Sequence, residues 1–362
     1  MPLIVTDNHN SKSVLEPWLA VNLSMFFSGI GQLYAGKKIK GWGLICCQTV
    51  LIAIAIWSIF SPNGNTVTGL TCLFLVIIIY FFSLFDAYNC VKEQLNERVS
   101  EKIPRINKDP WFAVFLSRIL PGLGHLYIEK AIIAAVFLSL FIIFSSLTKI
   151  LSNLLLFTPI ISAIACYHAF ISFPNHRRKG QQLMMIIAAF ILAFGVVGGY
   201  LPSWVQQKID LFDIPSESML PTLQVGDKVF VNKADSYSPK LGDLVVFKEP
   251  KSAIVLQSEA DKKKQRFFIK RVIGEPGQIV RVSDKLVYIN DQPLQENYLA
   301  ETPVYQWGPE QVPAQSYFVL GDNRNNSFDS HVWGFLPKDL IVGRAYKIYL
   351  PPARIQSLLN HN

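Results

Sequence analysis

From Gly41 to Phe85 the chain carries no charged residue, and Ser61 to Thr68 (SPNGNTVT) breaks that run near its middle. Each half is long enough to cross a bilayer. Segments at about 41–60 and 69–90 meet the ~20 apolar residues that a ~30 Å hydrocarbon core requires, so this part of the chain is committed to an α-helical membrane region.

Three further candidate spans follow the charged loop 92–109, at 131–147, 150–173 and 183–201. The basic clusters orient them. Lys37, Lys38, Lys40, the 92–109 loop, Lys130 and the turn His176-Arg177-Arg178-Lys179 all lie on the cytoplasmic side only if five spans alternate. Everything after residue 204 is then extracytoplasmic. No basic n-region with a compact apolar core and a small-residue site marks a cleavable leader.

Charge is unevenly divided. Residues 1–204 hold 15 Lys+Arg against 8 Asp+Glu, whereas residues 205–362 hold 19 against 18. A basic excess confined to the apolar half reads as cytoplasmic anchoring rather than a nucleic-acid face. Cys46, Cys47, Cys72, Cys90 and Cys166 also fall there, without metal-ligand spacing, and read as small membrane-core residues. His125 and His168 read as interfacial or core histidines rather than ligands. Neither a metal nor another cofactor is expected.

An internal repeat has an offset of 93 residues: LSMFFSGIGQLYAGKKIKGWGLI from Leu23 matches LSRILPGLGHLYIEKAIIAAVFL from Leu116. Each copy is a short Gly-punctuated lead-in, about 18–34 and 111–127, followed by two spans. The lead-ins are too short to cross and are expected to be interfacial or re-entrant. The GxGxLY element resembles the small TM2-like membrane modules, a resemblance that implies a helix-packing or lipid-contact motif; the simpler reading is close approach of helices through glycine. The expected organisation is a polar N-terminus (1–17), a multispan membrane domain (18–204; repeats about 23–91 and 116–173, final span 183–201) and an extracytoplasmic all-β domain (205–362).

Beyond residue 212 the pattern becomes short β-type runs at 228–231, 243–247, 266–272, 279–282, 286–289, 316–320 and 341–349, separated by turn residues. Asn290-Asp291 has the composition of a hairpin turn with φ > 0. Lys262-Lys263-Lys264 reads as a solvated loop.

The chemistry centres on IPSESMLPTL (214–223), just past the last span. By itself, Pro-Ser-x-Ser is either a polar linker or a nucleophile loop. A serine nucleophile needs a base and an oxyanion site, and beyond residue 201 the chain offers only His331 and the tail residue His361 as histidines. A lysine can serve if burial depresses its pKa. Lys270, in FFIKRVI (267–273), has the most apolar setting of any lysine in the β half. Strand alternation would turn Phe268, Lys270 and Val272 to one face and Arg271 to solvent.

The segments IPSESMLPTLQVGDKVFVNK (214–233), LGDLVVFKEP (241–250), IKRVIGEPGQ (269–278) and GDNRNNSFDSHVWGFLP (321–337) resemble, in order and spacing, the four sequence boxes of bacterial type I signal peptidases, Ser-Lys membrane endopeptidases that cleave after Ala-x-Ala. The resemblance covers about 205–350. It implies Ser218 as nucleophile and Lys270 as general base. The Ser218 N–H and Ser216 hydroxyl would hold the oxyanion, Ser327 would hydrogen-bond Lys270, and Asp329, Asp322 and Arg324 would brace that loop. Phe212, Ile214, Pro215, Met219, Leu223, Phe268 and Ile269 would line the pockets for small substrate side chains.

As partners it implies signal-peptide-bearing preproteins and the lipid bilayer of the plasma (inner) or an internal membrane, with a secretion-machinery partner conceivable through the repeated module. The chain departs from the family pattern at His331, where an Arg is more usual, and at Gln278, where an Asp is. Two other readings stay open: a self-cleaving Ser-Lys repressor-type protease, disfavoured by the spans, and a multispan transporter or scaffold with an inactive β domain, disfavoured by the scarcity of charge in the spans.

Overall fold

A computed structural model of the chain describes residues 15–98, 108–148, 151–173, 178–233, 237–255 and 267–359. The first residues, most of the 92–109 loop, Lys149, His176 and Arg177, Lys262 to Lys264 and His361 lie outside the described residues. Two compact units form: Met1–Ile54 with Cys72–Pro202, and Ala55–Thr71 with Ser203–Asn362.

The first unit is helical. Its elements are α1 (Pro17–Ser24), α2 (Ile30–Tyr34), α3 (Lys38–Phe60), α4 (Thr66–Arg98), α5 (Pro110–Ile119), α6 (Leu123–Tyr127), α7 (Ala131–Leu147), α8 (Phe157–Ile171) and α9 (Arg178–Lys208), with the ends of α3, α4 and α9 belonging to the other unit. Four stretches are long and apolar enough to cross a membrane: Lys38–Phe60, Thr66–Gln94, Leu154–Ile171 and Gly180–Lys208. The fifth expected span is α7, a 17-residue helix, whose rise of about 26 Å falls short of a ~30 Å core. Nor does the last span stop at 201. It continues as helix to Lys208, and the first strand begins at Ile209.

The repeat is structural. α1–α2 and α5–α6 form the same helix-turn-helix, too short to span, as the lead-ins suggested. Tyr34 Oη accepts from Glu16 N at 3.1 Å, and Tyr127 Oη accepts from Asp109 N at 3.0 Å, both pairs being related by the offset of 93. The glycines of the repeated motif have distinct tasks. Gly29 and Gly122 have φ of 102° and 105°, and a Cβ there would lie 2.3 Å from Gly41 O and 2.5 Å from Ala134 O. At Gly31 and Gly124 a Cβ would lie 2.2 Å from Ala20 O and 2.1 Å from Ala113 O. The motif is thus required by backbone approach alone. In the second copy His125 and His168 bond to each other, Nε2 to Nδ1 at 2.9 Å; among the described residues no cluster suited to a metal ion occurs.

The second unit is all-β. A curved antiparallel sheet runs β1 (Ile209–Asp213), β2 (Lys228–Asn232), β11 (Ile341–Leu350), β3 (Leu244–Lys248), β4 (Phe267–Gly274), β9 (Ser316–Leu320), β10 (Leu336–Pro337), with β12 (Gln356–Ser357) also on β11. A second sheet runs β7 (Gln292–Pro293), β6 (Leu286–Ile289), β5 (Ile279–Ser283), β8 (Trp307–Gln311). All seven expected strands form; β1, β8 and the two-residue strands β7, β10 and β12 are additional. Asn290 and Asp291 turn with φ of 51° and 63°, as expected, and Asp284-Lys285 does the same between β5 and β6. At the departure Gln278, the side chain accepts from Glu275 N at 2.7 Å, the local turn bond a shorter aspartate can also make.

The turn between α3 and α4 belongs to this β unit. Lys347 of β11 is fully buried, and its amine donates to Ser58 O at 2.9 Å and Ile59 O at 2.7 Å. These are terminal carbonyls of α3, which have no partner within the helix and attract a cation. Phe60 lies 5.8 Å from Phe230, which stacks on Tyr346 and Tyr349.

Candidate active site

The loop Ile214–Leu223 is pinned at both ends. Ile214 N donates to Asp227 O and Gly226 N to Ile214 O, both at 2.9 Å. At the far end Thr222 Oγ1 donates to Asp322 Oδ2 at 2.5 Å. Between them Met219 and Leu223 are fully buried among Val229, Val231, Leu244 and Ile348. Each such burial contributes about 1.5–3 kcal/mol and draws the loop's underside into the core. This overturns the expectation that Met219 and Leu223 line the substrate pockets: they hold the loop from below while Ser218 faces the cleft.

Lys270 arrives from β4, and its Nζ donates to Ser218 Oγ at 2.5 Å. Only 4% of Lys270 and 8% of Ser218 are exposed. Burial pushes the Lys270 amine down to about 8, against the opposing pull of Asp329 and Asp322. Lys347 is also depressed to about 8 by burial, so among the described residues of the β half a second lysine shares this property with Lys270. Lys347 bonds main-chain carbonyls; Lys270 touches a serine hydroxyl.

Ser216 Oγ lies 3.3 Å from Ser218 Oγ. The two serines open onto a cavity of about 430 Å³ that is also bounded by Phe212, Ile214, Pro215, Phe268 and Ile269, with Asp213, Val246 and Phe267 as lining residues that sequence reasoning missed. Two of these follow from strand neighbours: Val246 pairs with Ile269 on adjacent strands, and Phe212 meets Phe267 edge-on at 5.5 Å. β4 pairs with β3 through Phe267–Arg271 and with β9 only from Arg271 onward. Among the described residues, one edge of 267–270 and the outer edge of β1 are therefore unpaired, and an extended chain can add to such edges.

Behind Ser218, Gly321 is obligatory: a Cβ would lie 2.4 Å from Ser218 O and 2.2 Å from Ser327 Oγ. The loop that starts at Gly321 is held by three buried acids. Asp322 accepts from Arg271 Nε at 2.8 Å and Nη2 at 2.6 Å. Asp329 accepts from Gly321 N at 2.8 Å and pairs with His331 Nδ1 at 2.7 Å. Arg324 donates to Gly321 O at 3.1 Å and forms a two-pronged pair with Glu296.

Two expectations fail here. Arg271 does not face solvent, because the opposite face of β4 is also covered; it is 3% exposed, with its guanidinium 3.8 Å over the Tyr298 ring. The expected Ser327–Lys270 bond is not formed, since Ser327 Oγ has no hydrogen-bond partner and the amine is bonded to Ser218. Glu296, far from any motif, gave no sequence signal. His331 stacks on Tyr305 at 4.0 Å and bonds Asp329, so the histidine alternative to a lysine base has no contact with Ser218.

Similarity to known proteins follows this geometry. The family described as "Signal peptidase, peptidase S26" matches residues 183–350. A signal peptidase I of Leptolyngbya laminosa is 51% identical over 147 residues, 40% of this chain and 70% of that one. A probable signal peptidase I-2 of Synechocystis is 48% identical over 39% of this chain and 63% of that one. A thylakoidal processing peptidase 1 of Arabidopsis thaliana is 41% identical over 41% of this chain and 44% of that one.

Proposed function

Because this chain belongs to the type I signal peptidase family, peptidase S26, we propose that it removes signal peptides from exported preproteins after Ala-x-Ala, with Ser218 as nucleophile and Lys270 as general base. The observation that carries this reading is the buried Lys270 Nζ–Ser218 Oγ contact of 2.5 Å at the mouth of a cavity between two unpaired strand edges. The neutral amine takes the Ser218 hydroxyl proton as Oγ attacks the scissile carbonyl. The oxyanion is met by the Ser218 N–H and the Ser216 hydroxyl. The resulting ammonium protonates the departing amine, leaving an ester on Ser218, and the neutral lysine then deprotonates the water that hydrolyses it.

The bound segment lies as a strand between β1 and the start of β4, with Phe212, Ile214, Pro215, Phe268 and Ile269 admitting methyl groups and excluding larger ones. The anchor is residues 18–204 and the catalytic domain 205–362. Purified full-length protein in detergent is expected to cut a preprotein at its Ala-x-Ala junction, read by sequencing the new N-terminus. Absence of cutting, or cutting scattered over unrelated sites, refutes the reading.

The catalytic domain is extracytoplasmic in this proposal. The α3–α4 turn shares a compact unit with the β domain, which supports placing both on one side of the membrane. In this proposal α7 crosses along with α4, α8 and α9, its 17-residue length being met by local thinning of the bilayer, so that the chain returns to that side after an even number of crossings. Reporters fused at Asn63 and after Tyr349 are expected to both report the outside; a cytoplasmic signal at either position rules this topology out.

A further inference from the structure

The peptidase chemistry makes no use of Arg118. It stands next to the last residue of α5 and lines a cavity of about 430 Å³ with Phe26, Tyr80, Phe141, Thr158 and Phe194 among its walls. The guanidinium lies 4.1 Å over the Phe26 ring, and Nη1 donates to Asn22 O at 2.5 Å. Among the described residues the ion pairs of the helical unit are Lys40–Asp86 and Lys108–Glu129, and neither involves Arg118. One carbonyl and one ring leave most of its five donors, and its charge, unanswered. A cation held without an anion among membrane helices is costly and marks a site.

The hydroxyls of the cavity narrow the ligand class. Thr148 Oγ1 donates to Ser145 O at 2.9 Å, Thr158 Oγ1 to Leu155 O at 3.2 Å, Ser162 Oγ to Thr158 O at 3.0 Å and Tyr80 Oη to Met25 O at 3.3 Å. The protons of these four hydroxyls, of the five that line the cavity with Ser145, are engaged by main chain, so toward the cavity they present lone pairs. Such a wall accepts hydrogen bonds from ligand hydroxyls, while Arg118 takes an anion and the aromatic walls take hydrocarbon. A signal peptide fits poorly, since its amino end is basic.

The internal repeat separates this feature from the needs of the fold. The residue 93 positions before Arg118 is Met25, which lines the same cavity. The module therefore builds the same helix-turn-helix with an uncharged side chain, the cap residue Met25, at the corresponding position.

We propose that this cavity is a binding site for an anionic phospholipid whose headgroup carries hydroxyls, with its phosphate on Arg118, its hydroxyls on the Thr and Ser oxygens and an acyl chain along Phe26, Phe141 and Phe194. The site is independent of the peptidase reading, and its test reads binding rather than cleavage. Full-length protein in detergent is titrated with phosphatidylglycerol, with phosphatidylmethanol of equal charge but no headgroup hydroxyl, and with zwitterionic phosphatidylcholine, and bound lipid is counted by native mass spectrometry. Phosphatidylglycerol is expected to bind at least ten-fold more tightly than phosphatidylcholine, with phosphatidylmethanol between them. Arg118→Met should bring phosphatidylglycerol down to the phosphatidylcholine level, and Thr158→Val should erase the margin over phosphatidylmethanol. Equal binding of phosphatidylglycerol and phosphatidylcholine by the unaltered protein overturns the proposal, whatever the variants do. So does full retention in Arg118→Met, or displacement of the lipid by a synthetic signal peptide.

Discussion

Ser218→Ala is expected to lower cleavage of a preprotein by roughly 10⁴-fold or more, the scale at which removal of a nucleophile acting in concert with its base is felt. The substitution removes one oxygen from a residue that is 8% exposed and leaves Met219 and Leu223, which anchor the loop, untouched. The fold should therefore survive. Thermal unfolding close to that of the unaltered protein, with substrate still bound, separates loss of chemistry from loss of structure. Cleavage at an undiminished rate would remove Ser218 from the mechanism and return Pro-Ser-x-Ser to the status of a linker.

The second large effect is on pH. With the Lys270 amine at about 8, about one-tenth of it is neutral at pH 7, and only that fraction can accept the serine proton. Activity is expected to rise nearly ten-fold per pH unit below that value and to level off above it. Lys270→Met should abolish it, whereas Lys347→Met, which removes the other depressed lysine, should leave the profile in place. A profile that follows an imidazole and is lost in His331→Ala would instead assign the base to His331.

Stability carries an opposite sign. A lysine whose folded-state pKa is lowered from 10.5 to about 8 destabilises the fold at full strength below pH 8, and the penalty fades between about 8 and 10.5 as the unfolded chain also loses its proton. Its size is of the order of 3 kcal/mol. At pH 7 the inactive Lys270→Met protein should accordingly melt no lower than the active one. This is the relation expected where a strained group is kept for chemistry.

Much of the molecule is legible in one dimension because its causes are local or periodic. Hydrophobic length specified α3 and α4, period-2 runs specified seven strands, and the four boxes brought Ser216, Ser218 and Lys270 to one place. The duplicated GxGxLY element was visible as a repeat, and its glycines proved to be backbone contacts at Gly29, Gly31, Gly122 and Gly124.

Which face of a residue is covered is a different kind of property, fixed by what folds over it. Alternation correctly put Arg271 opposite Lys270, but only the assembled domain shows that side to be closed by Asp322 and Tyr298. The same holds for Met219 and Leu223, apolar residues in the Ile214–Leu223 loop that serve equally well as pocket wall or as core plug until the sheet beneath them exists. Glu296 and Lys347 have no motif; they matter through partners 28 and 289 residues away. Sequence by itself determined the apolar helical half and the β half, which depend on composition and period, while the meeting of Ser218 with Lys270 was implied by the resemblance of four ordered segments to a known family. Tertiary structure alone decided burial, the acids that brace the loop and the unanswered charge of Arg118, because desolvation and ion pairing depend on neighbours that chain order does not specify.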